Sequence, residues 1–517
     1  MNPFTRARLD VEPSSCAAAD RMIETTRTDI PSPQQTPEPI VARFSAVVPL
    51  ALLVLGTASA GLYFWGRDLH RFTQWIAAYV GLFVGQLGFY VVACYVVLRW
   101  SKRSSPAARW ATIGLVIFFA AGFRAVLVPQ RPYLSTDVYR YIWDGHLQAA
   151  GVNPYRYVPE APELSSLRDD KIFPNLNRED RQWLSAYPPM AQIVFFAVSC
   201  IRPMSVAAFK AAMASFDLIT VLLLMLVLAR SGLDPARAII FAWHPLVIFE
   251  GSHSGHIESV FVAFLALALL MWSTGKHALT GVSLALATLV KFYPILLLPV
   301  FLSAKRDQSP SDAPLGLARG ERLTLSALFE KRSLTMLGAF AATVVLAYLP
   351  YAGAGSNVFG FLRGYIEEEG FIQSGSRYFL LAAVRELIPV PTVGFLVVAA
   401  IAFAAATLWW ALKKKLDACD VALGATTLIG LFLLVTTPRY PWYYVWIIPF
   451  LCLAPRIGWL YLTCASTLLY LVWYTPLVYP EIPLWLGACI YVPTLGLLAW
   501  EYSNLRWKRG RPARNAI

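Results

Sequence analysis

The chain has 517 residues, of which 57% are hydrophobic and 15% are Asp, Glu, Lys or Arg, against roughly 25% charged residues in soluble domains. With a mean hydropathy of +0.54 and about 20 apolar residues needed per crossing, this excludes a soluble enzyme and a single-pass anchor. The net charge of +13 could suggest nucleic acid, but in a membrane protein basic residues first report orientation, and no nucleic-acid partner is expected.

Residues 1–43, with Pro31, Pro33, Pro37 and Pro39 in close succession, cannot bury a core and read as a disordered cytosolic tail. The polytopic region then runs over 44–503. Its first span, about 44–65, comes too late and is too long for a cleavable signal peptide. Further apolar segments lie near 75–98, 110–128, 205–229, 237–250, 258–273, 278–302, 333–351, 392–411, 419–437, 441–454, 457–475 and 484–500. Together they predict an all-α multi-pass membrane protein of about 12–14 transmembrane helices. Two places leave the count open. The 188–201 segment is short for a crossing, and Pro294 and Pro299 break 278–302, so either can be a half-helix.

Arg99, Lys102, Arg103 and Arg109, with no acid between them, place the 99–109 loop in the cytosol. Lys413 to Lys415, Arg456 and the basic tail at 504–517 agree, giving cytosolic termini. The basic 303–332 segment reads as a cytosolic loop, and by parity the loops 129–187, 251–257, 353–391 and 438–440 face outward. No Gly-rich phosphate loop follows a strand. The seven Cys (Cys16, Cys94, Cys200, Cys419, Cys452, Cys464, Cys489) have the spacing of neither a disulfide framework nor a zinc site.

The 129–187 loop is crowded with aromatics and holds seven Lys/Arg and eight Asp/Glu. Ser135 or Thr136 can cap a helix over about 137–150 that ends before Gly151 and Pro154. Asp137, Arg140, Tyr141 and Asp144 then share a face, while Val138 and Ile142 form an apolar stripe suited to lying on the membrane surface. A carboxylate fixed there is what a lipid-linked reaction needs. Lys291 sits inside an apolar run just before Phe292-Tyr293-Pro294, where an ionisable group is costly enough to suggest function. With Arg377 and Arg439 it is a candidate for holding a lipid phosphate. Trp442, Tyr443, Tyr444 and Trp446 read as an interfacial belt, the acids at 367–369 as a solvated run, and Asp217 as a helix-to-helix hydrogen bond. His253, His256 and Glu258 lie close together but lack a zinc pattern.

Several motifs carry a family resemblance. They are TDVYRYIWDGHLQAAGVNPYRYVP at 136–159, YPPMAQIVFFAV at 187–198, FDLIT at 216–220, HPLVIFEGSHSGHIES at 244–259, LVKFYP at 289–294 and TPRYPWYYVWIIP at 437–449. In order over about 130–450, the chain resembles the polyprenyl-phosphate-sugar-dependent glycosyltransferases of the GT-C superfamily, most closely glycosyltransferase family 87. It also shares features with the GPI-anchor mannosyltransferases. The resemblance implies a GT-C-type bundle with an external first catalytic loop in the cell membrane. It implies transfer of a sugar, most simply mannose, from a polyprenyl-phosphate donor to a glycan or glycolipid acceptor outside the cytosol. Asp137 is then the general base of an inverting displacement. Arg140, Tyr141, Asp144, His253, His256, Lys291, Arg377 and Arg439 are expected around donor and substrate. Thr136 stands where the family often has a second acid, so neither a metal nor another cofactor is expected. The alternatives are a transporter or flippase for a lipid-linked saccharide, which would show pseudo-symmetric halves, and a lipid-linked glycan ligase or polymerase on the same scaffold.

Overall fold

A computed structural model describes residues 46–71, 75–302, 330–360, 378–413, 417–474 and 482–509. Most of the expected tails, Arg377, the acids at 367–369 and most of the 303–332 loop lie outside these residues. Among the described residues there is no strand, and the molecule is an all-α multi-pass membrane protein. Among the described residues the α-helices of nine or more residues are α1 (Val47–Trp65), α2 (Trp75–Trp100), α3 (Pro106–Leu127), α4 (Asp137–Ala149), α5 (Pro189–Ile201), α6 (Val206–Arg230) and α7 (Glu258–Ser273). They continue with α8 (His277–Thr288), α9 (Lys331–Tyr348), α10 (Thr392–Leu412), α11 (Ala418–Thr436), α12 (Ile457–Ala465) and α13 (Leu484–Arg509).

Eight of the described helices are long and apolar enough to cross a membrane, and four shorter apolar ones, 189–201, 258–273, 277–288 and 457–472, accompany them. Starts follow local chemistry. The Ser105 hydroxyl accepts from the Ala108 N–H ahead of Pro106, Ser205 accepts from Ala208, and Asp417 accepts from Cys419 and Asp420, each satisfying donors the helix leaves open. α1 packs on α2 and α3, α6 on α7, α7 on α8, α8 on α9, and α12 on α13. By contrast, α10 leaves Val393, Val397 and Ile401 exposed, as suits a helix facing lipid.

Three expected spans do not run as single helices. The 237–250 segment is divided into Pro235–Ala238, Ile239–Ala242, Pro245–Ile248 and a π-helical turn at Phe249–Ser254. Prolines and the side-chain caps of Asp234 on Ala236 and His244 on Leu246 interrupt it. Pro294 and Pro299 break 293–301 into two short pieces, as their spacing suggests. Pro441 and Pro449 do the same to 441–451. Interrupted backbone at membrane depth is tolerated where protein covers it, and residues 241–262 are all buried.

Candidate active site

The external helix forms where expected. α4 starts at Asp137, whose N–H donates to Ser135 Oγ at 3.2 Å. It ends ahead of Gly151, which has φ +79°, in the left-handed region that glycine adopts at little cost. The expectation that its apolar stripe lies on the membrane is corrected: Val138 and Ile142 are buried because α4 packs on α5. Gly145 permits this approach, since a Cβ there would stand 2.3 Å from the Phe195 carbonyl oxygen and 2.4 Å from Ser199 Oγ. The loop helix is thus an internal strut.

The charged residues of α4 divide into two groups. Arg140 Nε donates to Asp144 Oδ1 at 2.9 Å, and its guanidinium also reaches the carbonyls of Asp180 and Trp183. Asp144 Oδ2 accepts from Ser185 Oγ and, at 2.9 Å, from Gln192 Nε2. Both charged side chains are buried. Arg140 and Asp144, expected around donor and substrate, direct these contacts to the protein itself. They tie α4 to the returning 178–185 chain and to α5, with none of their polar atoms buried and unpartnered.

Asp137 differs. Its side chain is 27% exposed, whereas the neighbouring acids Glu250 and Glu258 are each 1% exposed. Tyr141 donates to Asp137 Oδ2 at 3.4 Å, and His256 Nδ1 lies 3.7 Å from that oxygen. Burial pushes the Asp137 carboxyl above its ordinary value, while Lys291, Ser135 and Tyr141 pull it back.

The outward turn supplies the floor. The π-helical turn at 249–254 closes with Gly255 at φ +78°, and the His256 N–H donates to the Glu250 carbonyl at 2.8 Å. His256 Nε2 lies 3.4 Å from Glu250 Oε2, and Nδ1 lies 4.0 Å from Glu258 Oε2. The ring stacks on Trp442 with centroids 4.2 Å apart, and Trp442 stacks on Tyr440 at 4.5 Å. Trp442, Tyr443, Tyr444 and Trp446 are buried. They pack inside the protein, Trp442 on His256 and Tyr443 under Lys291, rather than forming the expected interfacial belt.

The other predicted residues are placed unevenly. Lys291 pairs with Glu258 and lies 5.1 Å over the Tyr443 ring. Its neighbours Phe292 and Ile295 are exposed, so its ammonium stands between the acidic cluster and the apolar exterior. His253 is buried and meets Tyr79 Oη at 3.3 Å through Nε2, apart from the Asp137 contacts. The Arg439 guanidinium lies 5.5 Å over Tyr440, the outer member of the Trp442 stack.

Two further features were not expected, and one expected bond found its partner. Tyr470 donates to Glu250. Lys210, fully buried, donates to the Leu127 and Gln130 carbonyls, fixing the outer end of α3 to α6. Arg124 Nε donates to Asp217 Oδ2 at 3.1 Å, giving Asp217 the interhelical bond expected of it, with the arginine of α3 as partner. Glu250 was detectable in principle, as an acid inside the apolar run HPLVIFEG. Tyr470 carried no such signal, since aromatics are ordinary in a span.

A polytopic helical protein with one part-open carboxylate at the head of its loop helix, a buried acid–imidazole floor and a lysine at the apolar rim is built as a membrane glycosyltransferase. The family profile described as alpha-(1->6)-mannopyranosyltransferase, N-terminal domain, matches residues 44–305, and that of glycosyltransferase family 87 matches residues 183–438. The chain belongs to the alpha-(1->6)-mannopyranosyltransferase family and is a glycosyltransferase of the mannosyltransferase type, in agreement with the motif resemblance. The comparison with curated proteins gives no match.

Proposed function

We propose that this protein transfers mannose from a polyprenyl-phosphate donor to a hydroxyl of a glycan or glycolipid on the extracytosolic face, with Asp137 as general base. The acceptor O–H gives its proton to the Asp137 carboxylate while its oxygen attacks the anomeric carbon. The bond from that carbon to the phosphate oxygen breaks, and the electron pair leaves with the phosphate. No co-reactant is needed, and one carboxylate suffices because a phosphate monoester is a weakly basic leaving group. Inversion at the anomeric carbon relates donor to product. The family description names an alpha-(1->6) linkage, so an alpha product requires a beta-linked mannosyl phosphate. The primary 6-hydroxyl of a mannose residue is the corresponding nucleophile.

The observation that carries this reading is the contrast in exposure: Asp137 is 27% exposed while the other acids of the cluster are 1% exposed. Only Asp137 among them can meet an incoming hydroxyl. Lys291, between the acids and the exposed Phe292 and Ile295, is the proposed counter-charge for the donor phosphate, whose prenyl chain stays in lipid. Arg439 at the aromatic rim, and Arg377, are proposed as supporting cations. His253 is proposed to support the pocket through Tyr79.

The test is transfer by the purified, liposome-reconstituted protein with beta-linked polyprenyl-phosphate mannose, its alpha anomer and a nucleotide-linked mannose as parallel donors. Turnover with the beta lipid donor and an alpha-linked product is expected. Turnover with the nucleotide sugar alone, or with the alpha lipid donor, would overturn the reading.

A further inference from the structure

Around His256 the chain gathers more acid than base. Asp137 and Tyr141 face it from α4. Glu250, His253 and Glu258 belong to its own segment. Lys291 approaches through Glu258, Tyr470 backs Glu250, and uncharged Trp442 covers the ring. Three buried or part-buried carboxylates against one ammonium cannot all be ionised without large cost. Lys291 compensates Glu258, and Asp137 is open to solvent. Glu250 is 1% exposed and is met by hydroxyls, the Tyr470 phenol and Ser254, with no cation paired to it, which leaves it as the acid that keeps its proton.

The imidazole is held in register with this arrangement. Its plane is set by Trp442 and its backbone by the bond to the Glu250 carbonyl. Among the described residues neither ring nitrogen has a hydrogen-bond partner of ordinary geometry, and Glu250 Oε2 has none either. Nδ1 faces two carboxylates, Asp137 and Glu258. A lone pair there would be repelled by both, whereas an N–H would be attracted. Nε2 faces Glu250 Oε2, where a proton on the acid would complete the contact. Burial and the nearby Lys291 ammonium both oppose a second proton on the ring.

We infer that His256 is a positioning residue for the Asp137 carboxylate: a neutral imidazole with its proton on Nδ1, directed at Asp137, and with Nε2 accepting the proton of a neutral Glu250. The inference rests on the reading of Asp137 as base. Its consequence is that Tyr470, Glu250 and His256 form an oriented chain ending at the base, with each donor aimed toward the site. The 3.7 Å contact shortens into a hydrogen bond once substrate closes the pocket, as such contacts commonly do. The same order fixes which tautomer faces the chemistry.

The full-length protein in liposomes, assayed with polyprenyl-phosphate mannose, tests this through His256→Phe, His256→Asn, Glu250→Ala and Glu250→Gln, all checked for an unchanged melting transition. His256→Phe keeps the stack on Trp442 and removes both nitrogens. It is expected to lower kcat by about a hundredfold with donor KM within about threefold, the signature of a group acting only in the transition state. The acid limb of its pH profile should move upward, because ionised Asp137 loses its donor. His256→Asn, whose amide N–H reaches the Nδ1 position, should recover about tenfold over His256→Phe, and Glu250→Gln, a neutral donor, about tenfold over Glu250→Ala. An unchanged acid limb in His256→Phe, or a raised KM with normal kcat, would overturn the inference. Glu250→Gln no better than Glu250→Ala would overturn the assigned proton on Glu250. Failure of the base reading is distinct: Asp137→Asn would then turn over normally. Loss in Asp137→Asn with full activity in His256→Phe sinks the positioning role alone.

Discussion

α4 carries two aspartates seven residues apart, and the chain treats them in opposite ways. Asp144 is fully buried and accepts from Arg140, Ser185 and Gln192, so its charge is consumed by joining α4 to its neighbours. Asp137 is part-open and loosely held, with a 3.4 Å bond from Tyr141, a 3.7 Å approach from His256 and Ser135 beside it. A buried carboxylate held by three donors is a weak acceptor for a substrate proton, whereas a loosely held, part-open one is available to it. Placement at one end of the same helix makes the second depend on the first, because the Asp144 network sets where Asp137 stands.

The comparison breaks most visibly at Asp137. Asp137→Asn should lower turnover with polyprenyl-phosphate mannose by about a thousandfold while leaving the thermal melting of the detergent-solubilised protein unchanged or slightly raised. Normal turnover would remove the assigned role. Asp144→Ala should show the reverse, a loss of about 3–5 kcal/mol of stability seen in melting and folded yield, because Arg140 is left buried without its counter-charge. The folded fraction should also lose part of its specific activity, because the network that places Asp137 is broken. Unaltered melting would show that the network is dispensable.

Smaller effects sharpen the contrast. The proposed base must be ionised to act, so activity is expected to be full above its pKa and to fall as pH drops through it. Since burial raises the Asp137 value, the acid limb of kcat/KM should lie above the ordinary aspartate value of about 4. A limb at or below that value would contradict the raised carboxyl. Lys291→Gln should shift the limb further up, because Lys291 favours ionised Asp137. It should also raise donor KM by roughly tenfold, about the loss of one charge-assisted contact. An unchanged KM would place the phosphate elsewhere.

Much of this was legible in the sequence, and for physical reasons. Hydropathy marked most of the spans, and the Pro-Gly punctuation bounded α4 within a residue. Lys291 stood out because an isolated charge inside an apolar run is expensive, and Asp137 through its place at the head of the loop helix and the motif resemblance. What sequence could not supply was partnership. The i,i+4 spacing of Arg140 and Asp144 suits a substrate clamp as well as an internal strut, and only the returning carbonyls of Asp180 and Trp183 decide between them. The aromatic run at 442–446 likewise has the composition of a membrane belt. Its burial comes from packing against His256, Tyr293 and Tyr491, which hydropathy does not encode. Glu250 and Tyr470 meet across 220 positions, a pairing invisible to any local pattern.

The π-helical turn at Phe249–Ser254 and the left-handed Gly255 have one more consequence. Each helical residue turns the chain by about 100°, so the number of residues between Glu250 and Glu258 sets the angle at which α7 departs, along with the side on which Glu258 meets Lys291. Removing or adding one residue there would swing these groups to different faces even if every side chain were kept. In this turn, chain length is itself a site determinant, and natural variation should appear as substitution rather than as insertion or deletion.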